Sequence, residues 1–293
     1  MAPSPDPVVI TCALNGAHRD PAPRTPVQMA DEARQAYEAG ASMVHLHLRD
    51  PQDGQTPSWD PARAREVADA ILARVPDIIL NLSTDVIGND LSGPRACLEA
   101  VRPEMAALNA GSLNDLKLRR DGQWAEAPTL VDNPVSKIGA FLELMAHHQI
   151  VPECECFDTG IVRSLSLLER HGLLQPPYLV SFVLGMASGM PARQDLMPIL
   201  LDEAPARAPW QSVVIGGQEV WPIHRRTAEL GGHLRTGVED TLYLPDGTRV
   251  CGNGPLIEAM TALAREVGRE PATPAQARAI LLGHVDQGAA GPR

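Results

Sequence analysis

His45 and His47 stand in the run Met43-Val44-His45-Leu46-His47-Leu48, where the polar rings alternate with apolar side chains. A period of two is that of a β-strand, whose successive side chains point to opposite faces. The two imidazoles therefore project from one face, one pleat apart. Two neutral ring nitrogens on one rigid element suit a divalent transition metal, with a third ligand from elsewhere and a position left open for substrate. The plainer alternative is a pair of polar side chains that find hydrogen bonds at a strand end.

A strand that carries ligands must be held by neighbours, and the chain supplies them in a repeating unit of apolar run, polar loop and amphipathic segment. Strands are expected at residues 8–14, 42–48, 78–82, 105–108, 150–156, 178–184, 212–215 and 233–238. Helices are expected at 26–39, 61–74, 93–101, 134–148, 161–171, 193–204, 220–230 and 255–267. Start signals precede several of them: Thr25-Pro26, Asp60-Pro61, Asn133-Pro134 and Asn253-Gly254-Pro255. Gly40 and Gly231-Gly232 mark helix ends. Eight β-then-α units predict an α/β chain folded as a (β/α)8 TIM barrel over residues 1–293, closed by C-terminal helices at 255–267 and 273–282. Residues 1–7 read as a Pro-rich flexible tail and 115–132 as a surface excursion, for which a hairpin is one form.

Such barrels do their chemistry at the C-terminal ends of the strands. Those ends carry Asn15-Gly16-Ala17-His18, His45 and His47, Ser83-Thr84, Asn109-Ala110-Gly111-Ser112, Glu153 and Glu155, Gly185 to Arg193, and Arg235 with Glu239-Asp240. In a closed ring the eighth strand is separated from the second by the first alone, so Glu239 is the expected third ligand. Zinc is the leading metal, and iron, cobalt or manganese would accept the same set. His18 could join as a ligand, but a substrate contact is favoured. Asn109, Gly111 and Ser112 are further expected substrate contacts. Arg235 is a partner for Asp240 and can bind a carboxylate bidentately; the alternative is an ion pair that serves structure alone. Glu153 could orient Arg235 from across the mouth. Gly185, Gly189 and Arg193 open a helix whose first N–H groups could face the anionic arm of a coenzyme, or the segment is simply a tight turn.

Composition excludes other classes. A net charge of −11 without a basic run argues against nucleic acid. No apolar stretch reaches membrane-spanning length, and the start of the chain lacks a signal-peptide pattern, so a cytoplasmic location is expected. Five scattered cysteines without a Cys-x-x-Cys pair read as reduced, mostly buried thiols.

The runs Thr11-Cys12-Ala13-Leu14-Asn15-Gly16-Ala17, Ala39 to Asp50, Asn81-Leu82-Ser83-Thr84, Pro152-Glu153-Cys154-Glu155-Cys156-Phe157-Asp158, Val183 to Ala192 and Arg235-Thr236-Gly237-Val238-Glu239-Asp240 together make the chain resemble the β-keto acid cleavage enzyme family over nearly its whole length. The resemblance implies a zinc-bound barrel in which a 3-oxo acid reacts with acetyl-CoA to give acetoacetate and a new acyl-CoA. It further implies His45, His47 and Glu239 as metal ligands, Asp240 with Arg235 and Glu153 as the proton-abstracting group, Ser83 as a contact to the substrate carboxylate, and a homotetramer. Where the typical member has Gly-Ala-Glu, whose carboxylate suits a substrate amino group, this chain has Gly16-Ala17-His18 followed by Arg19. A distal end that is polar or anionic, such as that of a 3-oxo dicarboxylate, is therefore expected.

Two other readings stand beside this one. An amidohydrolase-like zinc hydrolase also uses a barrel and His-x-His, but on the first strand with more histidines on the fifth and sixth. A non-catalytic barrel that binds a small acid would need no open metal site, whereas structural zinc is normally closed by four protein ligands and three candidates are found here.

Overall fold

The computed structural model describes residues 6–16, 22–50, 52–53, 56–86, 88, 90–117, 119, 121–125 and 127–283. Eight parallel strands, β1 (Ile10–Ala13), β2 (Met43–Leu46), β3 (Ile79–Ser83), β4 (Met105–Asn109), β7 (Val151–Cys156), β8 (Leu179–Leu184), β9 (Trp210–Val214) and β10 (His233–Thr236), pair in that order and close through β10 onto β1. All the expected strands form. An antiparallel hairpin, β5 (Leu113–Asp115) with β6 (Thr129–Val131), rises between β4 and β7. Its stem begins two residues before the 115–132 stretch read from sequence as a surface excursion.

The outer layer is α1 (Pro26–Ala39), α2 (Pro61–Arg74), α3 (Ser92–Val101), α4 (Val135–His147), α5 (Thr159–Arg170), α6 (Met197–Glu203), α7 (Trp221–Glu229) and α8 (Gly254–Glu266), with α9 (Pro274–Leu281) beneath the barrel. The Thr25 and Thr273 side chains close reciprocal capping boxes with Gln28 and Gln276, which satisfies orphan N–H groups at the starts of α1 and α9. Gly40 ends α1 in the left-handed conformation, as expected of glycine there. The helix expected at 193–204 is divided: a 3-10 turn (Gln194–Leu196) precedes α6, which restarts with proline in its first turn.

Two expected caps differ. Asn133 donates Nδ2 to the Gly111 carbonyl, and Asn253 accepts from the Val238 N–H while donating to the Leu14 carbonyl. Neither side chain caps its helix. Both bridge loops at the barrel rim, where an unpaired backbone group would otherwise be buried.

The alternation of each strand builds the interior in layers. Val9, Met43, Ile79, Met105, Val151 and Leu179 form an apolar floor, sealed by Ala272, Ala277 and Leu281. In the next layer up, seven of the eight strands place a buried polar side chain, Thr11, His45, Asn81, Glu153, Ser181, Gln211 and Arg235, and β4 places Ala107. Intervening residues, Ile10, Cys12, Val44, Leu80, Ala106, Cys154, Cys156, Val180 and Phe182 among them, face the helices in the main core. The floor and the outer packing carry stability, while the polar layer supports the mouth.

Candidate active site and metal centre

His45 lies in the polar layer and His47 one pleat above it. The β2–β3 register sets His45 beside Asn81, and the β1–β2 register sets it beside Ala13. Asn15 accepts from the His47 N–H at 3.0 Å and donates to its carbonyl at 3.1 Å, so the end of β1 holds the second histidine's backbone. Glu239 arrives from the turn after β10. A Cβ on Gly16 would lie 2.7 Å from its Cγ, so the glycine after β1 makes the room this side chain occupies.

The three expected ligands converge. His45 Nε2 is 3.2 Å from His47 Nε2 and 3.7 Å from Glu239 Oε1, and His47 Nε2 is 3.3 Å from the same oxygen. A tetrahedral metal with ligand bonds of about 2.0–2.1 Å sets its ligand atoms roughly 3.4 Å apart. Among the described residues this is the group of His, Cys, Asp or Glu whose ligand atoms lie within 4.8 Å of one another. Burial, aided by Arg235, holds His45 well below its usual pKa, so its ring is neutral and has a lone pair to give.

Arg235 stands 2% exposed at the centre of the carboxylates. It donates to Glu239 Oε1 at 2.6 Å, to Glu155 Oε1 at 3.1 Å and to both Asp240 oxygens at 3.3 Å, with Glu153 Oε1 3.7 Å away. Glu155, rather than the Glu153 expected from sequence, is thus its hydrogen-bonding partner from β7. The reason is depth: the two glutamates share a face, but Glu155 is one pleat nearer the mouth. Burial raises Glu155 to about 8 and Asp240 to about 7, against the pull of Arg235. For Glu239 burial also raises the pKa, but His47, Arg235 and His45 outweigh it and hold the group well below the carboxylate range. Four carboxylates therefore share one central guanidinium. A dication at the triad would offset the excess charge, which together with the tetrahedral spacing shows that the residues fit a metal.

These groups open into a pocket of about 230 Å3 lined by His47, Glu155, Arg235, Glu239 and Asp240 on one side and by Phe157, Val183, Met186, Val213 and Ile215 on another. The β5–β6 hairpin adds Leu113, Asp115, Lys117 and Val131 to its wall. A larger groove, about 950 Å3, lies on the outside against α7 and α8. It contains none of the converging groups.

The remaining expected residues divide. Asn109 lines the pocket and donates to Asp85, which lines it too. Ser83 is buried on the inward face above Asn81 and accepts from the Asp85 N–H. Gly111 and Ser112 are engaged elsewhere: a Cβ on Gly111 would strike Ile161 of α5 at 2.5 Å, and Ser112 Oγ accepts from the N–H of Asn133, just after the hairpin. His18 lies outside the described residues. In the 185–193 segment, Gly185 N–H is spent on the Met190 carbonyl, Gly189 N–H on Met186 and Arg193 N–H on Pro191, while the Arg193 guanidinium pairs with Asp195. Those three residues build a tight turn, and Met186 is the one that reaches the pocket.

Gly185 has φ +91°, and a Cβ there would lie 1.9 Å from the Ile215 carbonyl oxygen. We expect Gly185→Ala to destabilise the fold by more than about 1 kcal/mol, read as a lower denaturation midpoint. An unchanged midpoint would show that the turn can relax.

Sequence reasoning missed Arg49 and Lys137. Arg49 Nη2 lies 3.1 Å from His47 Nδ1, so the guanidinium backs the second imidazole. Buried Lys137 donates to the carbonyls of Val86, Gly88 and Asp132, tying the loop after β3 to the hairpin's return. An arginine two residues after the histidine pair was a visible signal for the first. The second had none, since a lone lysine at a helix start reads as surface.

Fold and site together define the class: a (β/α)8 barrel enzyme whose mouth joins a His-His-Glu ligand set to a buried Arg-Asp pair. A family profile described as beta-keto acid cleavage enzyme matches residues 7–282, and the chain belongs to that family. It is 33% identical over 279 residues to a 3-keto-5-aminohexanoate cleavage enzyme of Fusobacterium nucleatum subsp. nucleatum, covering 94% of this chain and 97% of the relative. It is 34% identical over 280 residues to the 3-oxoadipate:acetyl-CoA acetyltransferase of Cupriavidus necator, covering 94% of this chain and 93% of the relative. Among solved structures, apo ObcA superposes with a TM-score of 0.69 at 20% identity, over 88% of this chain and 65% of that longer one, a likeness of fold. No helix among the described residues is long and apolar enough to cross a membrane.

Proposed function

We propose that the protein exchanges acyl groups between a 3-oxo acid and acetyl-CoA, releasing acetoacetate and a new acyl-CoA, with His45, His47 and Glu239 holding zinc. The observation that carries this reading is the convergence of the three ligand atoms in the same mouth as the Arg235–Asp240 pair. The names of the relatives in Fusobacterium and Cupriavidus support the substrate class. A bound divalent cation supplies Lewis-acid polarisation of the keto oxygen, which makes the carbon between keto and carboxylate groups acidic.

Asp240 is the base that takes a proton from that carbon, and Arg235 holds its carboxylate in place. The resulting carbanion attacks the acetyl carbonyl of acetyl-CoA, and the CoA sulfur leaves as the thiol with a proton. The thiol then adds to the original keto carbon, and the bond to the adjacent carbon breaks. Acetoacetate leaves as a carbanion that recovers its proton, and the former acyl end departs as its CoA thioester. No oxidant or organic cofactor enters this balance.

Ser83 and Asn109 are assigned to the acid's polar end, and the turn containing Gly185, Gly189 and Arg193 shapes the wall on the coenzyme side through Met186. His18 is retained as a substrate contact on sequence grounds alone, and with Arg19 it favours a neutral or anionic distal group. A cytoplasmic homo-oligomer, with the resemblance pointing to a tetramer, completes the proposal; the four buried free thiols suit a reducing compartment.

The test is acetoacetate release from a panel of 3-oxo acids. We expect turnover to require acetyl-CoA, to stop with a strong chelator and to return with zinc. Chelator-resistant turnover would remove the metal from the account, and release without acetyl-CoA would favour a hydrolase.

A further inference from the structure

His45 and His47 are backed by groups of opposite character. His47 Nδ1 faces Arg49 Nη2 at 3.1 Å, and a guanidinium has only donors to offer. His45 Nδ1, in a side chain 1% exposed, makes no hydrogen bond among the described residues, and Glu153 Oε2 stands 3.9 Å from it. Glu153 is fully buried at the centre of the polar layer. Its Oε1 accepts from Ser181 Oγ at 2.6 Å and Gln211 Nε2 at 2.8 Å, and its Oε2 accepts from Asn81 Nδ2. Thr11 in turn donates to Gln211 Oε1. The side chains of β1, β3, β8 and β9 thus fix this carboxylate from several directions, beneath the ring that it does not quite touch.

We propose that Glu153 is a positioning residue for the metal: it accepts the Nδ1 proton of His45 and so presents the Nε2 lone pair to the cation. This inference rests on the metal reading above. A neutral imidazole carries one proton, and coordination through Nε2 requires it on Nδ1. A buried N–H needs an acceptor, and closing 3.9 Å to a hydrogen bond of about 2.9 Å needs a shift near 1 Å. A carboxylate there fixes the tautomer and makes the ring a stronger ligand, an effect that typically changes metal affinity 10–100-fold. His47 Nδ1 can carry its proton only once the Arg49 guanidinium turns aside, whereas His45 Nδ1 already faces a carboxylate, so His45 is the anchoring histidine. This role also accounts for a fully buried glutamate that shares the layer of His45 and Arg235 yet stands 3.7 Å from the guanidinium.

Zinc affinity measured by competition with a chromophoric chelator tests the assignment. For E153Q, which keeps the side chain's shape, we expect zinc to bind about 10–100-fold more weakly. E155Q, whose carboxylate bonds Arg235 rather than a histidine, is expected to weaken zinc binding clearly less than E153Q does. Equal affinity for E153Q and wild type, or equal weakening in both variants, would overturn the proposal. Should E153Q fail to fold, ring 15N spectra of the zinc-loaded wild type decide: His45 protonated at Nδ1 supports it, and protonation at Nε2 overturns it. A wild-type protein that binds no zinc would bring down the metal reading and this inference together, whereas normal binding with an unaffected E153Q removes only the latter.

Discussion

Asp240→Asn is expected to lower kcat by roughly 10²–10⁴-fold, the range for removing a positioned general base. The asparagine is nearly the same shape, so the loss isolates proton transfer from packing. Asp240 suits the task because burial raises it to about 7 while Arg235, bonded to both carboxylate oxygens, keeps the charged form accessible. A base must be ionised to act, so wild-type kcat/KM should fall as the pH drops below about 7, or lower once a nearby dication favours the anion. Initial rates against pH, alongside metal content, check this. If D240N retained wild-type kcat, the proton would be leaving to another group, and Glu155 on the same guanidinium would be the first to examine.

Arg235→Met carries the second large effect, on folding. The guanidinium is buried and faces Glu153, Glu155, Glu239 and Asp240. Removing it leaves buried carboxylates without their cation, and breaking one side of a buried ion pair costs about 3–5 kcal/mol. The metal-free variant should therefore unfold at much lower denaturant than wild type. Part of the loss should return at low pH, where the carboxylates take up protons and need no partner. Arg235→Lys should recover little, because one ammonium cannot fork toward carboxylates from β7 and the β10 turn together. A loss under about 1 kcal/mol, the scale of exposed pairs, would mean that the carboxylates protonate or hydrate at small cost and that Arg235 serves chemistry alone.

Much of the fold was legible because strand periodicity is local. Alternation in Met43 to Leu48 set both imidazoles on one face, and the same parity places Asn81, Glu153, Ser181, Gln211 and Arg235 in one layer. Barrel closure then brings β10 beside β1 and β1 beside β2, which is why Glu239 could be paired with His45 and His47 across the chain. Depth was harder to read. Glu153 and Glu155 have the same parity, and only the register of β7 against its neighbours shows that the upper one bonds Arg235 and the lower one faces His45.

Side chains recruited by tertiary contact were not legible either. Asn133 and Asn253 have the residue type and place of helix caps, yet each bridges backbone from distant loops. Gly111 and Ser112 occupy a strand end, as substrate contacts would, but Asn133 from beyond the hairpin bonds the Gly111 carbonyl and the Ser112 hydroxyl. The glycines after β8 look like an anion cradle, but their N–H groups donate to the Met190 and Met186 carbonyls and close the turn upon itself. In each case competition for backbone hydrogen bonds, which sequence spacing does not encode, decides the outcome.

Carbon tracking tests the account most directly. With acetyl-CoA labelled with 13C at both acetyl carbons, an unlabelled 3-oxo acid and the zinc-loaded protein, the account predicts acetoacetate labelled at its keto carbon and methyl group, with the new acyl-CoA unlabelled. Labelled acetate with unlabelled acetoacetate, or no exchange of acyl groups at all, would contradict it.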